Sequence, residues 1–181
     1  HISKNADFTV VTTSMYENDD PSLFGIVSTD MDGRITSFEE KPIQAKGQQV
    51  SAGIYIVRRR LLIELIEKAD QEERYDFVKD ILIRYKDIKK IYAYKLDTYW
   101  SNISSVESYF RTNMDFLKPE IRDYFFKQYP DVYSKVQDLP PAKYNAGSDV
   151  KNSLVSSGCI INGKVEYSIL LKEVYDVSYT H

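Results

Sequence analysis

"FGIVSTDMDGRITSFEEKP", residues Phe24 to Pro42, decides what kind of sheet this chain can build. Phe24 to Ser28 reads as a strand, and Asp30-Met31-Asp32-Gly33 as a turn in which Gly33 is free to take positive φ. Arg34 to Glu39 then alternates, with Ile35 and Phe38 among polar neighbours. Two strands across a tight turn form an antiparallel hairpin. Outward from it, strands and helices alternate. Phe8 to Thr13, Gly53 to Val57 and Ile91 to Leu96 read as further strands. Leu61, Leu62, Leu65 and Ile66 form one helical stripe, and Phe77, Ile81, Leu82 and Tyr85 another. Ser104 to Leu117 predicts a helix, with Ser104 as N-cap and Glu107 at capping-box spacing. The alternation implies an α/β fold, and the hairpin makes its sheet mixed.

The chain of 181 residues can bury one sizeable core plus an appendage. A net charge of -3 and a pI near 5.5 argue against a nucleic-acid surface, which needs a basic patch. The densest basic cluster, Arg58-Arg59-Arg60, reads as a solvated helix start rather than a phosphate patch. The single cysteine, Cys159, excludes an internal disulfide and fits a reducing compartment. No apolar run approaches the roughly 20 residues of a membrane span, so a soluble, cytoplasmic protein is expected. The chain opens on His1 and enters strand-like sequence at once, which suggests a piece of a longer protein. His1 and His181 are terminal bystanders on this reading.

Beyond Leu117 the pattern changes. Lys118 to Asn145 is aromatic and charged and is broken by Pro119, Pro130, Pro140 and Pro141, which predicts one short helix and then an extended linker. After it, "VKNSLV" from Val150 returns as "VEYSIL" from Val165, fifteen residues later, with Gly158 and Gly163 between. Short strands recurring at a fixed period, with small residues at corners, suggest a solenoid of the β-helix kind. The expected organisation is therefore a domain over 1–117, a helix and linker over 118–147, and first coils over 148–181.

Candidate chemistry is sparse. In "FEEKP" a lysine ends a strand that Pro42 stops, so Lys41 can offer its ammonium to a phosphate; a solvated turn lysine is the blander reading. In "SAGIYIV" Ser51 and Gly53 precede what reads as a buried strand, a start that lets a ligand approach backbone closely; an ordinary strand entry fits as well. Asp76 in "YDFVKDIL" stands at a helix start, where aspartate is usually an N-cap. The loop "TYWSNISSVESY" carries the only tryptophan, Trp100, and looks like the floor of a polar pocket, yet no carboxylate follows Asp97 until Glu107. No glycine-rich phosphate loop, Ser/His/Asp set or paired Cys/His ligands occur.

In order, "FGIVSTDMDGRITSFEEKP", "SAGIYIV", "DFVKDIL", "YW" before a polar loop, "SYFRTNMDFL" and "VKNSLVSSGCIINGKVEYSILL" together resemble the ADP-glucose pyrophosphorylases. These glucose-1-phosphate adenylyltransferases supply bacterial glycogen synthesis. The resemblance covers nearly the whole chain. It implies the C-terminal part of a Rossmann-like nucleotidyltransferase domain with a mixed sheet, followed by the start of a left-handed β-helix. The family's glycine-rich nucleotide loop and an upstream metal-binding aspartate would precede His1.

Carried over by resemblance, Lys41 would hold the sugar phosphate, with Glu40 on the glucose. Ser51, Gly53 and Tyr55 would line the glucose pocket. The family's "DFGKDI" is matched by Asp76, Phe77, Lys79 and Asp80, with Val78 in place of the glycine. Where catalytic members carry an aspartate after Tyr-Trp that helps bind Mg²⁺, this chain has Asn102, then Ile103 and Ser104. An amide is a much weaker ligand for a hard dication. That degenerate metal position, with no metal or catalytic residue of its own, fits the GlgD-type branch. The expectation is a non-catalytic regulatory subunit that joins a catalytic glucose-1-phosphate adenylyltransferase in a hetero-oligomer. Its candidate contact surface is the solenoid start and the aromatic stretch from Tyr124 to Tyr144. An intact pyrophosphorylase is the alternative. A solenoid acyltransferase is disfavoured, since no histidine lies between Asp149 and Thr180.

Overall fold

A computed structural model describes residues 1–15, 20–44, 47, 49–128, 133, 135 and 137–176. The chain divides into two compact units, His1–Trp100 and Ser101–His181. Among the described residues no helix is long and apolar enough to cross a membrane.

The first unit is built on a five-stranded sheet of order β3-β2-β4-β1-β5, from β1 (Phe8–Ser14), β2 (Gly25–Thr29), β3 (Ile35–Glu40), β4 (Gln49–Val57) and β5 (Ile91–Lys95). β1 and β5 are parallel, whereas β1–β4, β2–β3 and β2–β4 are antiparallel, so the sheet is mixed. The hairpin turn works through Asp30, whose Oδ1 accepts from the N–H groups of Asp32 and Arg34 while Gly33 takes φ 81. The Ala93 N–H donates to the Gly33 carbonyl and Arg34 pairs with Tyr92, so the hairpin reaches edge strand β5.

Phe8, Val10, Val27, Ile35, Phe38 and Ile91 project from the sheet onto Leu65, Ile81 and Leu82 of the helical layer, forming the main core. Helix α1 (Arg59–Gln71) buries Leu65 and Ala69, with Leu61 packed alongside; that i, i+4, i+8 line leaves Ile66 half exposed, off the stripe expected of it. Arg58 is its N-cap residue and is anchored by Asn5 and Asp7, which accounts for one arginine of the basic run. The second stripe, Phe77–Ile83, winds as a π-helix, a form that recurs at functional sites. Strand β4 begins at Gln49, four residues before the expected start at Gly53, so Ser51 and Gly53 lie inside a strand rather than ahead of one.

In the second unit, α2 (Val106–Asp115) starts one residue later than expected. Ser105, not Ser104, is the N-cap, and Ser108, not Glu107, closes the capping box. A serine hydroxyl one turn in both accepts from the Ser104 and Ser105 N–H groups and donates to the Ser105 carbonyl, a fit that the longer glutamate at position 107 leaves to it. Short α3 (Pro119–Asp123) follows, continued by a π-helical turn over Tyr124–Gln128. Residues 129–132, 134 and 136 of the expected linker and contact surface, and His181, lie outside the described residues.

From Lys143 onward the chain forms paired rungs. β6 (Lys143–Tyr144) pairs with β9 (Ile160–Ile161), β7 (Asp149–Lys151) with β10 (Lys164–Glu166), and β8 (Leu154–Val155) with β11 (Ile169–Leu170), all parallel. Val150 lies beside Val165 and Leu154 beside Ile169, the fifteen-residue step seen in the sequence. The corners repeat too: Asn152 and Tyr167 take φ 42 and 45, and Gly158 and Glu173 take φ 79 and 61. Cys159, Ile161 and Val165 are buried between the rungs, with the Cys159 thiol donating to the Leu171 carbonyl.

Candidate functional site

The sequence places five candidate residues on the sheet and its first π-helical turn, and in the first unit Ser51 and Tyr55 touch while the charges of Glu40 and Asp76 reach the Tyr55 phenol. β4 carries three. Between Val10 and Thr12 of β1 the register slips, so Ala52, Gly53 and Ile54 oppose a single residue, Val11. This bulge re-aims the strand. It needs Gly53 at φ 74, and a side chain there would meet nothing within 4 Å, so the strand backbone borders open space at this point. Ser51 is buried beneath it. Its hydroxyl accepts from the Gly53 N–H at 3.3 Å and shares a hydrogen bond with the Tyr55 hydroxyl at 3.4 Å.

Tyr55 is the centre of the constellation. Its ring packs on Phe77 at 5.2 Å between centroids, tilted by 57°. Burial raises its phenol above the ordinary tyrosine range; the Ser51 hydrogen bond opposes this, and the charges of Glu40 and Asp76 reinforce it. Both carboxylates therefore act on the same phenol from different elements, Glu40 from the end of β3 and Asp76 from the start of the π-helix. Asp76 is also an N-cap: its Oδ1 accepts from the Lys79 N–H at 2.9 Å, while Asp80 Oδ2 accepts from the Asp76 N–H at 3.0 Å. Asp80 faces Arg74 at 3.5 Å, and Glu72 is held by Arg74 and Arg84. The Arg84 guanidinium keeps Glu72 below the usual carboxylate range. Val78, where the resemblance led to a glycine, packs against the main core.

Lys41 follows Glu40 directly. It is exposed, and its backbone sits at φ 50, a region that costs a lysine roughly 1–2 kcal/mol. Its N–H donates to the Phe24 carbonyl at 2.9 Å, which fixes the turn that presents its side chain. Such left-handed non-glycine residues concentrate at functional positions. Two hydroxyls beside open backbone, with two carboxylates acting on one of them, are groups that suit a ligand carrying several hydroxyls; Lys41 adds an ammonium one residue beyond Glu40.

Sequence reasoning missed Phe77 as the platform for Tyr55, although the residue stood in the quoted motif. It also assigned Trp100 to a polar floor. Trp100 instead packs edge-on against Phe24 at 6.1 Å, over the apolar cluster of Phe24, Ile26 and Val50.

Asn102 belongs to the second unit, half-buried in the extended stretch before α2. The hydroxyls around it are engaged: Ser101 with Thr112 at 2.5 Å, and Ser105 with Ser108 in the cap. With no carboxylate from Thr98 to Val106, this stretch does not fit the Mg²⁺ that the family resemblance implies at that position. Among the described residues no three His, Cys, Asp or Glu side chains converge as a metal site would require.

The profile of the nucleotidyl transferase family matches residues 1–119, two thirds of the sequence and all of the first unit. The chain belongs to the nucleotidyl transferase family. It is 38% identical to a glucose-1-phosphate adenylyltransferase of Clostridium acetobutylicum, over 97% of this chain and 47% of that protein. The corresponding enzyme of Bacillus subtilis is 37% identical over 96% of this chain and 46% of its own length. That of Pseudothermotoga lettingae is 33% identical over 97% and 42%. This nucleotidyl transferase chain thus spans a little under half the length of the relatives it matches, and the similarity runs through both units.

Proposed function

We propose that this chain is part of a diverged, non-catalytic subunit of a glucose-1-phosphate adenylyltransferase that acts in bacterial glycogen synthesis in the cytoplasm. In this reading it retains a sugar-phosphate pocket and tunes a catalytic partner within a hetero-oligomer. Glu40, Ser51, Gly53, Tyr55 and Asp76 receive the glucose and Lys41 its phosphate. Residues 1–117 form the end of the nucleotidyltransferase domain, 118–147 a helix and linker, and 148–181 the first coils of a left-handed β-helix. The convergence of Glu40 and Asp76 on the Tyr55 phenol supports the pocket.

The observation that carries the regulatory reading is Asn102, an amide in a stretch without a carboxylate. Nucleotidyl transfer needs a dication to neutralise charge developing on the phosphates, and a neutral amide binds it weakly. Assaying the full-length protein alone with ATP, glucose-1-phosphate and Mg²⁺ tests this. Turnover far below roughly 1 s⁻¹ is expected, that being the low end of ordinary enzymes. Co-expression with a catalytic homologue should yield one co-eluting hetero-oligomer with altered kinetics. Ordinary turnover by the protein alone would sink the reading and leave the competent enzyme in its place.

A further inference from the structure

Gly25 on β2 plays no part in the pocket as described, yet it stands directly across the sheet from Glu40 in the ladder. A Cβ built at Gly25 would lie 3.0 Å from Glu40 Oε2, and 2.8 and 3.1 Å from Cε1 and Cζ of Phe38. Gly25 has an ordinary strand conformation, since it is not among the positive-φ glycines, so backbone freedom does not explain it. What the position requires is the absence of a side chain. The Phe38 ring, buried in the main core, and the Glu40 carboxylate both crowd that position, so an added methyl would press on both, and the carboxylate at the end of its side chain is the freer of the two to leave its place. The preceding residue acts on the next one through its backbone instead: the Phe24 carbonyl accepts from the Lys41 N–H.

We infer that Gly25 is a positioning residue for the pocket: its bare backbone seats the Glu40 carboxylate beside Tyr55, while Phe24 seats Lys41. This rests on the sugar-phosphate reading for its consequence in binding, but not for the geometry itself. Any residue larger than glycine at position 25 would leave Glu40 charged and present but aimed elsewhere. The sugar hydroxyl would then lose a charge-assisted hydrogen bond.

A double-mutant cycle tests it, using calorimetric titration of glucose-1-phosphate into the protein. Gly25→Ala and Glu40→Ala are each expected to weaken binding about tenfold, the scale of one hydrogen bond to a charged group. The double variant should be no weaker than Glu40→Ala alone, because the methyl then has no carboxylate to displace. Additive losses would overturn the proposal, since Gly25 would then act through the fold. If Gly25→Ala folds poorly, Gly25→Ala with Phe38→Leu relieves the ring contact and keeps the contact with Glu40. If the wild-type protein binds no glucose-1-phosphate, the sugar-phosphate reading fails while the positioning claim is still decided by the Tyr55 titration, followed by ring ¹³C shifts. Gly25→Ala should lower the Tyr55 midpoint as Glu40→Gln does, and an unchanged midpoint would overturn it.

Discussion

The sheet of the first unit and the rungs beyond Lys143 bury apolar side chains by opposite strategies. The sheet assembles its core from distant parts of the chain: Phe8, Phe38, Leu82 and Ile91 meet only once three strands and a helical segment are in place. The rungs assemble theirs from neighbours fifteen residues apart, with Val150 on Val165 and Leu154 on Ile169, so one local pattern is stacked upon itself. The difference governs where irregularity is tolerated. In the rungs the left-handed residues Asn152 and Gly158 recur fifteen residues on, at Tyr167 and Glu173. In the sheet irregularity falls at unrelated places, the β4 bulge and Lys41 among the candidate residues and a further register shift between Ser28 and Thr29 in the hairpin. A repeat has no unique place to put a site, whereas a sheet whose irregularities do not recur does.

The largest break in that comparison comes from the cores. Phe8→Ala should cost about 4 kcal/mol and Ile161→Ala about 3 kcal/mol, as for large-to-small changes at buried sites. Both side chains are fully buried. Hydrogen exchange should show the first loss spread across all five strands and the second confined to the rungs. Equal spreading in both would contradict the contrast between long-range and local assembly.

The corners sharpen it at smaller magnitude. Gly158 and Glu173 occupy equivalent left-handed corners, so exchanging residue types should give opposite signs. Gly158→Ala is expected to destabilise by about 1 kcal/mol. Glu173→Gly should stabilise by about 0.5 kcal/mol, after the flexibility that glycine adds to the unfolded chain is counted. Urea midpoints measure both, and matching signs would show that the corners are not equivalent.

The smallest effect is a pH slope in the sheet unit alone. The Tyr55 pKa is raised by burial, so the folded state holds its proton more tightly than the unfolded chain does. The resulting stability is fully present below the unfolded tyrosine value of about 10. It is lost as pH rises from there through the higher folded value. Tyr55→Phe should remove that slope, as seen by comparing denaturant midpoints of the two proteins across this range. An identical alkaline slope in both would mean that Tyr55 is not held as its surroundings indicate.

Much of this was legible beforehand for a physical reason: local periodicity writes itself into sequence. The hairpin around Gly33, the mixed sheet and the fifteen-residue step each follow from residues within one or two turns or strands of one another. Sequence also named Glu40, Lys41, Ser51, Gly53, Tyr55 and Asp76 one by one, and exposed the missing carboxylate at Asn102. Tertiary structure alone decided what those residues do to each other. The bulge that sets Gly53 within a strand depends on β1 pairing with β4 across roughly forty intervening residues. Phe77 under Tyr55, Trp100 on Phe24 and Gly25 under Glu40 are all contacts between different elements. No periodicity records such contacts, because each depends on where a strand or helix ends up once the others have packed against it.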